Sequence, residues 1–114
     1  MTSTTRVRAG ENHICHVMWT DEIGRPLQVE SVTATLYAFN ELVINKLQDS
    51  VVMTQTEEAH IYSVSLAIPQ EYSGGTLHVL YRCTLQSDAS TLTKEAILLV
   101  DPSLSAQNLR VGFV

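Results

Sequence analysis

The residues best suited to metal or thiol chemistry are four histidines and two cysteines. His13, Cys15, His16, His78 and Cys83 offer imidazole and thiolate, the usual ligands of zinc. Their spacing closes no site, because the chain has no C-x-x-C and no paired H-x-x-x-H. Strand alternation also sends His16 and His78 away from the face that holds Cys15 and Cys83. No metal and no cofactor are expected. Hydrolysis would require a nucleophile, a base and an orienting acid in contact, and the sequence has no G-x-S-x-G elbow, no P-loop and no G-x-G-x-x-G. Ser73-Gly74-Gly75 reads as a turn, since no helix follows it to aim N-terminal amides at a phosphate. Glu57-Glu58 and Asp21-Glu22 read as solvated acidic turns. The expectation is a non-enzyme with no catalytic residue. Trp19, Tyr37, Phe39 and Tyr72 are the rings suited to stacking on a sugar, but Trp19 is expected to point inward and only 6% of the chain is aromatic.

The elements that carry these side chains are strands. Leu77, Val79, Tyr81, Cys83 and Leu85 share one face of a run starting at Thr76, and Leu92, Ala96, Leu98 and Val100 share one face of the next. Ser87-Asp88-Ala89-Ser90 forms the turn between the two runs. A period of two with one apolar face is the pattern of a half-buried antiparallel sheet. Upstream, Thr5 to Ala9 predicts a short edge strand, broken by Gly10-Glu11-Asn12. His13, Cys15, Val17 and Trp19 then lie opposite Ile14, His16 and Met18. Thr20 to Pro26 is a loop rich in turn residues. Val32, Ala34, Leu36 and Ala38 alternate with Thr33, Thr35, Tyr37 and Phe39. Asn40-Glu41 turns the chain into a strand from Leu42 to Lys46, preferred over a helix, and Val51 to Thr54 predicts a separate one. Tyr62, Val64, Leu66 and Ile68 form another inward row, which Pro69 stops. The sum is seven or eight short strands at sandwich spacing.

At 114 residues the chain has the size of one domain. Residues 1–101 form the sandwich and 102–114 a C-terminal extension. A net charge of −5 with only seven Lys and Arg residues argues against nucleic acid as a partner. No apolar segment reaches the roughly 18 residues needed to span a bilayer as a helix, so no membrane partner is expected. The polar start Met1-Thr2-Ser3-Thr4-Thr5 is read as lacking an export signal, and the chain is expected to be soluble and full length. In a reducing cytoplasm Cys15 and Cys83 are expected to be buried thiols in preference to a disulfide.

Tyr81-Arg82-Cys83, with Cys15 far upstream, resembles the immunoglobulin arrangement of a tyrosine two residues before the second cysteine. Trp19 follows Cys15 on the same strand, whereas antibody-type domains carry their tryptophan on the next strand. The fold expectation is therefore an all-β, immunoglobulin-like antiparallel sandwich without antibody-type ancestry. Trp19-Thr20-Asp21-Glu22-Ile23-Gly24-Arg25-Pro26-Leu27 followed by Val32-Thr33-Ala34-Thr35-Leu36-Tyr37 resembles the opening hairpin of immunoglobulin-like modules in tailed-phage virion proteins. The N-terminal module of baseplate upper proteins is one example. Ile61 to Leu66 and Glu95 to Asp101 are similar to the second half of those modules, so the resemblance spans about Glu11 to Asp101.

That resemblance implies a non-enzymatic structural subunit of a phage virion, at a tail, neck, baseplate or capsid surface, assembled in the host cytoplasm. The implied partners are other virion proteins and copies of the same chain. The chain departs from the family pattern in stopping where a baseplate protein continues into a second domain, and in its apolar tail. Leu109, Val111, Phe113 and Val114 are the expected partner-binding residues. Leu109, Val111 and Phe113 alternate as a strand added to an exposed sheet edge would require. Folding of this segment onto its own domain is the other expectation for it, and a carbohydrate- or peptide-binding module is the alternative function.

Overall fold

The alternating rows become two facing sheets in the computed structural model, which describes residues 3–40, 43–58 and 61–102. In chain order the strands are β1 (Ser3–Arg8), β2 (Asn12–Met18), β3 (Val29–Asn40), β4 (Val43–Val52), β5 (Thr54–Gln55), β6 (Ile61–Ala67), β7 (Thr76–Leu85) and β8 (Thr91–Asp101). One sheet has five strands in the order β1-β8-β7-β3-β4, and the other has three in the order β2-β6-β5. A 3-10 turn at Gln70–Tyr72 carries the chain from β6 in the smaller sheet to β7 in the larger.

The core lies between the inward rows. Val32, Ala34, Leu36 and Ala38 of β3 meet Leu77, Val79, Tyr81 and Cys83 of β7, Ala96, Leu98 and Val100 of β8, and Cys15, Val17 and Leu66 from the opposite sheet. Trp19 and Ile68 extend this cluster just beyond the ends of β2 and β6. Leu36, Leu66, Leu77 and Leu98 are fully buried; each such side chain stabilises the fold by about 1.5–3 kcal/mol relative to exposure.

Three features differ from the sequence expectations. First, β1 pairs with β8 in parallel, Val7 opposite Val100 and Arg8 opposite Asp101, so the sandwich is not wholly antiparallel. After β1 the chain leaves the larger sheet for the smaller at Gly10, whose φ of +79° suits glycine. Second, the segments around Leu42–Lys46 and Val51–Thr54 do not form two strands. Val43 to Val52 is one strand with register shifts against β3 near Leu36. Ser50, at φ +51°, donates its N–H to Thr35 Oγ1 at 3.0 Å, so a polar turn sequence is absorbed as an irregularity within the strand. Third, Leu92 pairs with Cys83 but is 38% exposed, because this end of β8 runs past the cover of the smaller sheet.

Candidate functional site

Among the described residues the thiols and imidazoles do not converge. Cys15 on β2 and Cys83 on β7 are buried and unbonded. They occupy opposite sheets, and the group hydrogen-bonded to the Cys15 thiol is the Tyr81 hydroxyl, two residues before Cys83 along β7. Burial raises the pKa of both thiols, opposed by the Tyr81 hydrogen bond at Cys15 and by the Leu92 backbone and then the Lys94 charge at Cys83. Burial also raises the Tyr81 hydroxyl, reinforced by Cys15. Thiols held protonated in this way are poor nucleophiles. His16 is exposed on the outer face of β2, and His78 lies half-buried on the outer face of β7. His13 is half-buried with its pKa lowered, by burial first and the neighbouring His16 second.

Asp21 has a structural role. Its Oδ1 accepts from the N–H groups of Ile23 and Arg25 at 3.0 and 2.9 Å, and its Oδ2 from Arg25 Nε at 2.9 Å. These bonds hold the loop between β2 and β3 closed, with Thr20 bridged to Pro26. They also set the Asp21 pKa below its usual value, the Arg25 backbone N–H being the leading cause.

Two surfaces remain as candidates for recognition. The first is the outer face of the larger sheet, where Tyr37 pairs with His78 on one side and Lys46 on the other. The Tyr37 and His78 rings stack with centroids 5.4 Å apart, and Phe39 meets His78 edge-on at 5.0 Å. Tyr37 is covered, its hydroxyl donating to Glu95 Oε1 at 3.4 Å. Phe39 and its cross-strand neighbour Ile44 are 54% and 57% exposed. Beside them lies a depression of about 310 Å³ lined by Thr35, Tyr37, Ile44, Lys46, Leu80 and Arg82 among others. Tyr37 and Phe39 were legible as outward rings. Their meeting with His78 depends on the β3–β7 register, which the sequence does not display.

The second surface is the margin where β1 and β2 border a slit between the sheets. About 290 Å³ in volume, the slit is lined by Ser3 and Thr5 of β1, His13 and Cys15 of β2, and Tyr81, Ala96 and Leu98 of β7 and β8, among others. Ser3 and Thr5 lie four and two positions before buried Val7, on the same inward row, yet both are exposed. The sandwich is therefore open along this margin. The outer face of β2 adds Ile14 at 60% and Met18 at 48% exposure. Polar residues on an inward row are the only sequence trace of this opening. Of the remaining stacking candidates, Trp19 is buried and Tyr72 accepts a hydrogen bond from Asn45 Nδ2 at 3.2 Å. Leu109, Val111, Phe113 and Val114 lie outside the described residues.

No protein-family model and no curated protein matches the chain. Among solved structures, one of CD84, described in terms of SLAM family function, superposes with a TM-score of 0.50 at 15% identity. The match covers 90% of this chain and 99% of that one. A likeness at that identity concerns the fold alone, and the fold it identifies is an immunoglobulin-like β-sandwich.

Proposed function

We propose that this chain is a non-enzymatic structural subunit of a phage virion, acting through contacts with other virion proteins and with copies of itself. The observation that carries the reading is that large apolar side chains stand on the outer faces of both sheets, Ile14 and Met18 on one and Phe39 and Ile44 on the other. Apolar side chains grouped on a surface favour protein contact. The sequence resemblance to virion modules supplies the setting, and its first motif lies on the Asp21-centred loop between β2 and β3. The segment from Leu109 to Val114 supplies a further apolar contact element.

The test is mass spectrometry of phage particles purified from a culture whose phage encodes the chain. A structural subunit is retained through gradient purification at a fixed copy number per particle. Recovery only in the soluble lysate would overturn the reading. A carbohydrate- or peptide-binding module is the second reading, favoured by the Tyr37, Phe39 and His78 rings beside the depression near Lys46 and Arg82. Since Trp19 is buried, a ligand there would be detected through His78 and Phe39 resonances and not through tryptophan fluorescence.

A further inference from the structure

Among the described residues the two sheets end in four edge strands, β1 and β4 in one and β2 and β5 in the other. Soluble proteins protect such edges with charge, proline, bulges or brevity. Strand β1 carries Arg6 and Arg8, β4 carries Lys46 and Asp49 with two register shifts, and β5 has two residues. Strand β2 has none of these devices. Asn12-His13-Ile14-Cys15-His16-Val17-Met18 contains no Lys, Arg, Asp, Glu, Pro or Gly, and it pairs with β6 in unbroken register.

The hydrogen-bond phase of β2 follows from its start. Ile68 accepts from the N–H of Gly10 at 2.8 Å and donates its own N–H to the Glu11 carbonyl at 2.9 Å. Bonded and non-bonded pairs alternate along an antiparallel ladder. His13, Cys15 and Val17 therefore bond to β6, and Ile14 and His16 turn their N–H and C=O groups to the open edge. Below that edge lies the slit floored by Cys15, Tyr81, Ala96 and Leu98. A strand laid along β2 would satisfy the open backbone groups and place every second side chain over this floor.

We infer that the open edge of β2 accepts the segment Leu109–Val114 of a second copy of this chain. Leu109, Val111 and Phe113 enter the slit, and Arg110 and Gly112 face outward beside Ile14 and His16. The inference rests on the proposed subunit reading and names its contact. Chain geometry selects the second copy. Strand β8 ends at Asp101, whose carbonyl accepts from Ala9 N–H at 2.9 Å, so the chain leaves the sandwich beside the Gly10 crossing, at the end where β2 begins. The intervening residues 103–108 span roughly 20 Å at about 3.3–3.6 Å each. Strand β2 is itself about 20 Å long at about 3.3 Å per residue, so a molecule's own segment enters from this end and runs parallel to β2. An antiparallel entry would require residues 103–108 fully extended along all of β2, with none left for the reversal. A second copy is free to approach antiparallel, the more stable pairing per residue. Repeated head to tail, such donation closes into a ring or extends into a filament.

Two full-length variants test the inference by complementation. His16→Pro removes an N–H that points to solvent, a position where an edge strand tolerates proline, and so blocks the acceptor. Val111→Asp places a charge over the slit and blocks the donor. Light scattering after size exclusion at several concentrations should find the wild type associated, each variant a monomer near 12.6 kDa, and their equimolar mixture a dimer. A peptide of residues 108–114 titrated into the Val111→Asp chain should shift the amide resonances of Ile14 and His16, a readout that needs no change in β2. A monomeric wild type, a mixture that stays monomeric, or a peptide that leaves those amides unmoved would overturn the inference. If folded His16→Pro associates like the wild type while Val111→Asp does not, the acceptor lies elsewhere. Detection of the chain in purified particles judges the subunit reading independently of all these outcomes.

Discussion

His13 shows how one residue can be misplaced by composition and placed by its surroundings. A histidine among cysteines and other histidines suggests a ligand, but this ring lines the slit and is half withdrawn from water, with its pKa lowered from 6.5 by burial and then by His16. The folded state resists its protonation, so below pH 6.5 the unfolded chain binds the proton more readily. The His13 contribution is fully favourable above 6.5 and is lost as pH falls toward the folded-state value. Thermal melts of the Val111→Asp chain, taken between pH 7.5 and pH 5, should show a loss below about 1 kcal/mol, the scale of solvent-screened charges. Adding His13→Gln should remove that part of the loss, and an unchanged pH profile would refute the assignment. At the same scale, Asp21 was legible as a turn residue but not as the acceptor of three bonds from Ile23 and Arg25, because the loop geometry converges only after β2 and β3 are in place.

Among elements, the crossing from β1 to β2 has the most specific chemistry. Gly10 takes φ +79°, and a Cβ added there would lie 2.7 Å from Gln70 Nε2. The Gly10→Ala substitution is expected to cost about 1 kcal/mol or more, since alanine at positive φ is strained whatever the space. Chemical denaturation would read the loss, and the double variant Gly10→Ala with Gln70→Ala should recover only the steric part. Full recovery would show that backbone strain at Gly10 contributes nothing. The long alternating rows of β2, β3, β6, β7 and β8 could be read directly from sequence because each has one face in the core. The continuity of β4 and the pairing direction of β1 could not. Strand β4 hides its continuity behind Gln48-Asp49-Ser50, where Gln48 Nε2 reaches across to the Ala67 carbonyl at 2.9 Å. The parallel pairing of β1 leaves no local mark, since parallel and antiparallel partners require the same alternation. The aromatic group of Tyr37, Phe39 and His78 is likewise a product of register between strands distant in sequence.

For the whole molecule, the two sheets close tightly around Leu36, Leu66, Leu77 and Leu98 and part at the margin between β1 and β2. The strand donation inferred above uses the regular, uncharged edge of β2, which borders that open slit. The most direct measurement is hydrogen exchange at the backbone amides of Ile14 and His16 in the full-length chain, beside the Val111→Asp variant at equal concentration. Strand donation predicts slow exchange at both amides in the wild type and fast exchange in the variant, with the amides of Cys15 and Val17 protected in each. Fast exchange at Ile14 and His16 in both proteins would contradict it.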